Sequence, residues 1–228
     1  MSTHRPEPDD LRRRLLDAAA RILTEQGPAA LSARRLVKEV GASTMAVYTH
    51  FGSMPGLVRE LMRDGFARFH ALGTAESARH PADPVAEVAG LSRAYQEFAR
   101  AEPDVYAVMF GGSALAGFTL SDDDRRIGAY GLRSLRDALR RCTAAGRFRP
   151  DTDTDLLVRQ LFSQLHGLAQ LTRAGYIMGD YTPDQVLRGM LLDFASAAGD
   201  EQAAARASVA TGLRSASRPG SESGSADR

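Results

Sequence analysis

The stretch VGASTMAVYTHF, Val40 to Phe51, sets a glycine between two short helical patterns and then lines up Ser43, Thr44, Tyr48, Thr49 and His50. Gly41 permits the left-handed backbone that ends one helix. Ser43 caps the next, and Val47 and Phe51 fall one turn apart on a common face. With those two turned inward, helical pitch turns Thr44, Met45, Tyr48 and Thr49 outward. So many hydrogen-bonding side chains on one short helix make either an ordinary solvated surface or a surface built to lie against something polar.

Upstream, Leu11, Leu15, Ala18, Ala19 and Ile22 recur at helical spacing and Gly27 stops the run. Ser32 then reads as an N-cap, with Leu31 and Leu36 placed as a hydrophobic staple. Two short helices joined by a glycine turn and braced by a longer one form a helix-turn-helix, whose second helix enters the DNA major groove. On that reading the free N–H groups at Ser43 and Thr44 meet a phosphate. Tyr48 and His50 donate to phosphate oxygens, while Thr44, Met45 and Thr49 suit base edges and thymine methyls. Ser32, Arg34 and Arg35, at the start of the second helix, complete the candidate DNA-binding set, the arginines reaching phosphates or a guanine.

Downstream, Ser53 and Pro55 open a fourth helix along which Leu57, Leu61, Gly65 and Phe69 trace one side. Helical patterns recur at about Val85 to Arg100, Pro103 to Phe110, Asp122 to Ala145, Thr154 to Ala174 and Pro183 to Ala198. The expected architecture is all-α, with about nine helices. A flexible arm (1–8) precedes a three-helix head (9–52), a larger helical body (53–198) follows, and a tail (199–228), poor in large apolar residues, is expected to be disordered.

The totals bound the function. At 228 residues and 43% hydrophobic content the chain supports a substantial core. It has no apolar run of the roughly 20 residues needed to span a bilayer and no apolar signal-peptide core, so a cytoplasmic location is expected and a membrane partner is not. Cys142 is the only cysteine, which excludes an internal disulfide and a cysteine-based zinc site. The formal net charge of +1 gives no global basic field. Met1 to Phe51 carries eight basic residues against six acidic, and Lys38 is the only lysine in the chain, so arginine supplies every other fixed positive side chain.

Several features resemble chemical sites and are better read as helix ends or turns. DTDTD (Asp151–Asp155) has Leu156 and Phe162 where a calcium loop needs Gly and Glu, and reads as a helix N-terminus, as does Asp122–Asp124. GGSALAG (Gly111–Gly117) lacks the Gly-Lys-Ser/Thr of a phosphate loop and reads as a turn. No metal ligand set, catalytic constellation or cofactor motif emerges. Two rival readings stand beside the DNA-binding one: a dimeric helical small-molecule-binding or scaffold protein without specific DNA binding, and an all-α enzyme.

From Leu15 to Leu61 the chain resembles the N-terminal domain of the TetR family of transcriptional regulators: Gly27 ending the first helix, the Ser32 cap, Leu36-Val37, then Gly41-Ala42-Ser43 and Tyr48-x-His50-Phe51. The resemblance implies a homodimeric repressor or, less often, activator, whose two heads bind a palindromic double-stranded operator and whose body binds a small-molecule effector. One position departs from the family pattern. Where a lysine usually begins the fourth helix, this chain has Met54, which offers a phosphate no charge.

In the body, Pro103–Gly112, Ala144–Phe148 and Phe162–Leu168 resemble a C-terminal domain named for a Trp-His-Gly signature, with His166 and Gly167 present and no tryptophan. Tyr95, Phe98, Tyr106, Met109, Phe110, Tyr130, Phe162 and His166 are candidates to line an apolar ligand cavity, although a buried, hydrogen-bonded His166 is the plainer reading. The last two body helices carry broad apolar faces. Leu161, Leu165 and Leu168 on one, with Leu187, Met190, Leu191 and Phe194 on the other, are expected to pair across a two-fold axis.

Overall fold

A computed structural model describes residues 8–110 and 115–214. Among them every regular element is helical: α1 (Pro8–Gln26), α2 (Ala33–Val40), α3 (Thr44–Phe51), α4 (Met54–Ser77), α5 (Pro84–Ala101), α6 (Pro103–Met109), α7 (Asp122–Gly131), α8 (Arg133–Ala144), α9 (Thr154–Arg173), α10 (Pro183–Ala198) and α11 (Gln202–Gly212). Short 3-10 turns lie at Pro28–Ala30 and Leu115–Gly117. Within the described residues, no helix is long and apolar enough to cross a membrane.

Among the described residues eleven helices replace the expected nine, for two reasons. The Asp122–Ala145 pattern divides at Leu132, whose φ of −87° and ψ of 5° leave the helical range. The break lets α7 lean on α4, where Phe66 meets Gly128, while α8 turns onto α5. The second reason is α11, which corrects the expectation of disorder from residue 199: Ala205, Ser208, Val209 and Gly212 are buried against α5. A Cβ on Gly212 would stand 2.1 Å from the Ala86 carbonyl oxygen, so glycine is what allows the two backbones to approach. Polar anchors fix the dock. Ser208 Oγ donates to Asp83 at 2.7 Å, and Arg147 grips Asp200 through two bonds of 2.6 and 2.7 Å. The expected arm lies outside the described residues except for Pro8, as do the tail beyond Arg214 and Gly111 to Ala114 of the expected turn.

The centre of the body is α5, buried on nearly every side from Val85 to Phe98 and packed by α4, α8, α9 and α11. A helix enclosed this way must pair its charges. Arg93 Nη2 therefore meets Glu76 of α4 at 2.8 Å and Arg93 Nη1 meets Glu97 at 2.6 Å, while Glu87 pairs with Arg141 of α8.

The apolar faces of α9 and α10 are used inside one chain. Leu161, Leu165, Leu168, Leu187, Leu191 and Phe194 are all buried, and Gln96 of α5 donates to the Leu165 carbonyl at 2.8 Å. This corrects their assignment to a surface between chains: helical periodicity shows that a face is buried, not by what, and α5 already covers this one. Of that set only Met190 is part-exposed. The outer side of the pair is a groove of about 620 Å³ whose lining includes Leu156, Leu157, Gln160, Gln164, Met190 and Asp193.

Candidate nucleic-acid interface and body cavity

The head is assembled by caps and turns written into its sequence. Ser32 Oγ accepts from the Arg35 N–H at 3.3 Å, and Leu31 and Leu36 are both buried. Gly41, at φ 71° and ψ 39°, ends α2, and its N–H reaches the Val37 carbonyl. Ser43 stands at the N-cap of α3 in extended conformation, its oxygen accepting no cap bond, so the first-turn N–H groups keep no side-chain partner there. Gly52 ends α3 and Ser53 caps α4, its Oγ accepting from the Gly56 N–H at 3.0 Å.

Val47 is fully buried and Phe51 nearly so, which rolls the opposite side of α3 outward. Ser43, Thr44, Met45, Tyr48 and Thr49 are exposed, with Met45 at 66% and Tyr48 at 47%; His50 is half-buried. Ser32, Arg34 and Arg35 are exposed on the adjoining start of α2. Eight of the nine candidate DNA-binding residues are thus exposed, and His50 is half-buried. Within the head, Arg21 pairs with Glu39 at 3.3 Å and Arg35 reaches the same carboxylate at 4.0 Å. Among the described residues Arg34 and Lys38 form no ion pair, so both charges stay available. Lys38, exposed in the last turn of α2, was missed as a contact candidate, although its free charge beside the glycine turn is a signal of the same kind as Arg34.

The head is tied to α4. Arg12 pairs with Glu60, and its guanidinium lies 5.6 Å from the centre of the Phe51 ring. Arg14 Nη2 donates to the Val40 carbonyl at 2.8 Å, fixing α1 to the end of α2. One residue before Glu60, Arg59 points to the body, where its Nε meets Asp124 of α7 at 3.2 Å and its guanidinium lies over the Phe118 ring.

Between α4, α6 and α7 lies a cavity of about 350 Å³ lined by Phe66, Met109, Phe110, Leu120, Asp124 and Phe162, among others. Behind Leu132 and Phe162 a narrower slot of about 30 Å³, lined in part by Tyr95 and Phe69, leaves space for about one or two waters. Of the predicted ligand residues, Met109, Phe110 and Phe162 line the cavity and Tyr95 the slot. Tyr106 and His166 line neither. They form a network in which Tyr95 Oη and Tyr106 Oη are 2.6 Å apart and Tyr106 Oη is 2.6 Å from His166 Nδ1. Burial pushes the Tyr106 hydroxyl up to about 12 and the Tyr95 hydroxyl higher still, and it lowers the His166 imidazole below its usual value, so all three are neutral at pH 7. Phe98 packs edge-on against Phe69 and also lines neither space. Tyr130 is a clear correction: it is 55% exposed on the outside of α7, stacked on His70 at 5.3 Å. Its aromatic side chain made it a candidate, and sequence alone does not show which side of α7 meets the body. Asp124 was missed, because a carboxylate in a helix first turn reads as a cap, and it is one: Ser121 and Asp124 form a capping box.

Comparison with known proteins agrees with this layout. Residues 15–61 match the family model described as bacterial regulatory proteins, tetR family, and residues 88–194 match a tetracyclin repressor-like, C-terminal domain. No curated protein matches the chain. Among solved structures, a protein of unknown function from Rhodococcus sp. RHA1 is 26% identical, with a TM-score of 0.74 over 88% of this chain and 100% of that one. The TetR family transcriptional regulator PfmR from Thermus thermophilus is 25% identical, with a TM-score of 0.59 over 82% of this chain and 100% of that one. The ketosteroid transcriptional regulator KstR2 of Mycobacterium tuberculosis is likewise 25% identical, with a TM-score of 0.58 over 84% and 96%. With a tetR-family head model and a repressor-like body model matched in tandem along its length, the chain belongs to the TetR family of DNA-binding transcriptional regulators.

Proposed function

We propose that this regulator acts as a homodimeric repressor, binding a palindromic operator through the exposed face of α3 and the start of α2, and releasing it when a small molecule occupies the body. One observation carries the DNA-binding half: Val47 and Phe51 face inward while Thr44, Met45, Tyr48 and Thr49 face solvent directly after a helix-ending glycine. Tyr48, His50, Ser43, Arg34 and Arg35 then hold phosphates or a guanine, and Thr44, Met45 and Thr49 read base edges. Two copies present two such helices, which enter successive major grooves when they lie about 34–36 Å apart. The two chains pair through the outer groove of α9 and α10, where Leu156 is exposed, rather than through the buried leucines.

The ligand acts by population shift. A compound that favours one head spacing over another draws the dimer from the spacing its operator needs, and about 1.4 kcal/mol of differential binding weakens the DNA complex tenfold. A regulatory role of this kind needs no catalytic group and places the protein with DNA in the cytoplasm. Selection of bound duplexes from a random pool tests the reading: recovery of a two-fold-symmetric sequence, bound with a steep salt dependence, is the expected result. Retention without sequence preference would favour the scaffold alternative.

A further inference from the structure

The cavity between α4, α6 and α7 and the slot behind it share two wall residues, Leu132 and Phe162, both half-buried. Phe66 of α4 lines the cavity, and Phe69, one turn on, lines the slot. Gly131 of α7 lies between these two rings. A Cβ there would stand 3.4 Å from Phe66 and 3.7 Å from Phe69, so at this point no α7 side chain separates the two spaces. Beyond it the slot is walled by Leu72, Leu91, Leu135 and Leu165. Ser134 adds one hydroxyl, and that of Tyr95 is held by Tyr106 at 2.6 Å.

Size and walls restrict what the two spaces hold. About 350 Å³ bounded by Phe66, Met109, Phe110 and Phe162 suits a ring, whereas the slot of about 30 Å³ admits one or two waters, or about two or three carbons in line. A branched group is too wide for it. The charges at the cavity select weakly. Arg125 on the lining is exposed and already paired with the exposed Asp122 at 2.8 Å. Asp124 also borders the cavity, but its Oδ1 is buried and its Oδ2 is held by Ser121 and Arg59, so it offers a ligand no free acceptor. Selection therefore falls on the apolar end of a ligand. Resting on the ligand-responsive reading above, we propose that cavity and slot form one site for a ring compound with a short unbranched alkyl tail. The ring stands in the cavity, its polar end stays at the solvent-facing rim beside Arg125, and the tail passes Gly131 into the slot. Since Phe66 and Phe69 both belong to α4, such a ligand lies against the helix that carries the head.

Calorimetric titration of the full chain without DNA tests this with 4-alkylbenzoates, whose carboxylate is constant along the series and stays in water. Affinity should rise roughly fourfold per methylene from methyl through ethyl to propyl, as burial of each CH₂ requires, and level off at butyl and pentyl. 4-Propylbenzoate should bind about tenfold more tightly than 4-isopropylbenzoate, which has the same number of carbons. In Gly131→Ala that preference should vanish while 4-methylbenzoate binds as before. The backbone at 131 is helical, so alanine is accepted there without strain. Ala94→Leu, which fills the slot from α5, should remove the preference in the same way and serves as the readout should Gly131→Ala lose its helical circular dichroism. Equal affinity for propyl and isopropyl, a rise that continues to pentyl, no binding of any member, or an undiminished preference in either folded variant would each overturn the proposal. An operator titration with and without saturating 4-propylbenzoate separates the two readings. Unchanged operator affinity would count against release by ligand and leave the two-part site standing, whereas absence of the propyl preference would leave DNA recognition standing.

Discussion

Met54 opens α4 directly after the Ser53 cap, half-buried and packed partly on the core. Its position next to α3 is where a positive side chain would meet a phosphate, and a lysine stem could cover the same apolar surface while its ammonium reaches outward. Met54→Lys should therefore tighten binding to every duplex tested and steepen the slope of log K against log salt by about one unit; filter binding at four salt concentrations measures both. His166 makes a second prediction. Its folded value is lowered by burial, so the folded state binds fewer protons than the unfolded one below the usual histidine value of about 6.5. Stability is then unaffected above that pH and falls as pH drops through it, and His166→Gln should flatten that part of the curve in urea titrations at pH 7.5 and 5.5. At this scale the sequence was legible wherever a residue's role follows from helical phase on one short element, as for Val47 and Tyr48. It was not legible for Tyr106 or Tyr130, whose surroundings depend on how separate helices lie against each other.

Among the elements, the α2–α3 turn depends on local backbone chemistry and α11 on tertiary fit. Gly41 has nothing within 4 Å of where a Cβ would sit, so Gly41→Ala tests the left-handed backbone alone. It should cost about 1–2 kcal/mol without altering the contacts of the exposed α3 face, which thermal unfolding and a DNA titration together would show. The caps at Ser32, Ser53 and Asp153 were readable, because a serine or aspartate ahead of an apolar-periodic run satisfies N–H groups nothing else can reach, whereas at α7 the sequence pointed to Asp122–Asp124 and the cap is Ser121. In α11 the same reading fails. Its Ala, Ser and Gly residues look like a chain with too little apolar surface to fold, and the close packing of Ala205, Val209 and Gly212, with the Ser208–Asp83 bond, supplies the missing contact. Truncation after Gly199 should accordingly lower stability by at least about 2 kcal/mol, the scale of exposing one buried Val-sized side chain, and lower the melting temperature by several degrees.

Across the whole molecule, the proposed pairing of two chains is assigned to the outer groove of α9 and α10. Leu156 is 51% exposed on its lining, so Leu156→Asp should leave the monomer folded, since no buried contact is lost, and shift the protein to a monomer in light scattering. Operator affinity should fall with it, because each head then binds its half-site alone. Leu161→Asp, by contrast, should unfold the body, since that side chain is fully buried.

On α4, neighbouring residues face opposite duties: Glu60 holds Arg12 of the head, and Arg59 holds Asp124 of the body. The side chains of Arg12, Glu60 and Arg59 are all reached by solvent, at 40%, 27% and 36% exposure, so counter-ions weaken both grips. On the proposed mechanism, raising ionic strength thus loosens the link between body and head at the same time as it reduces the gain from counterion release on the nucleic acid. An inducer's measured potency should for that reason vary with salt even when its own affinity for the isolated protein does not.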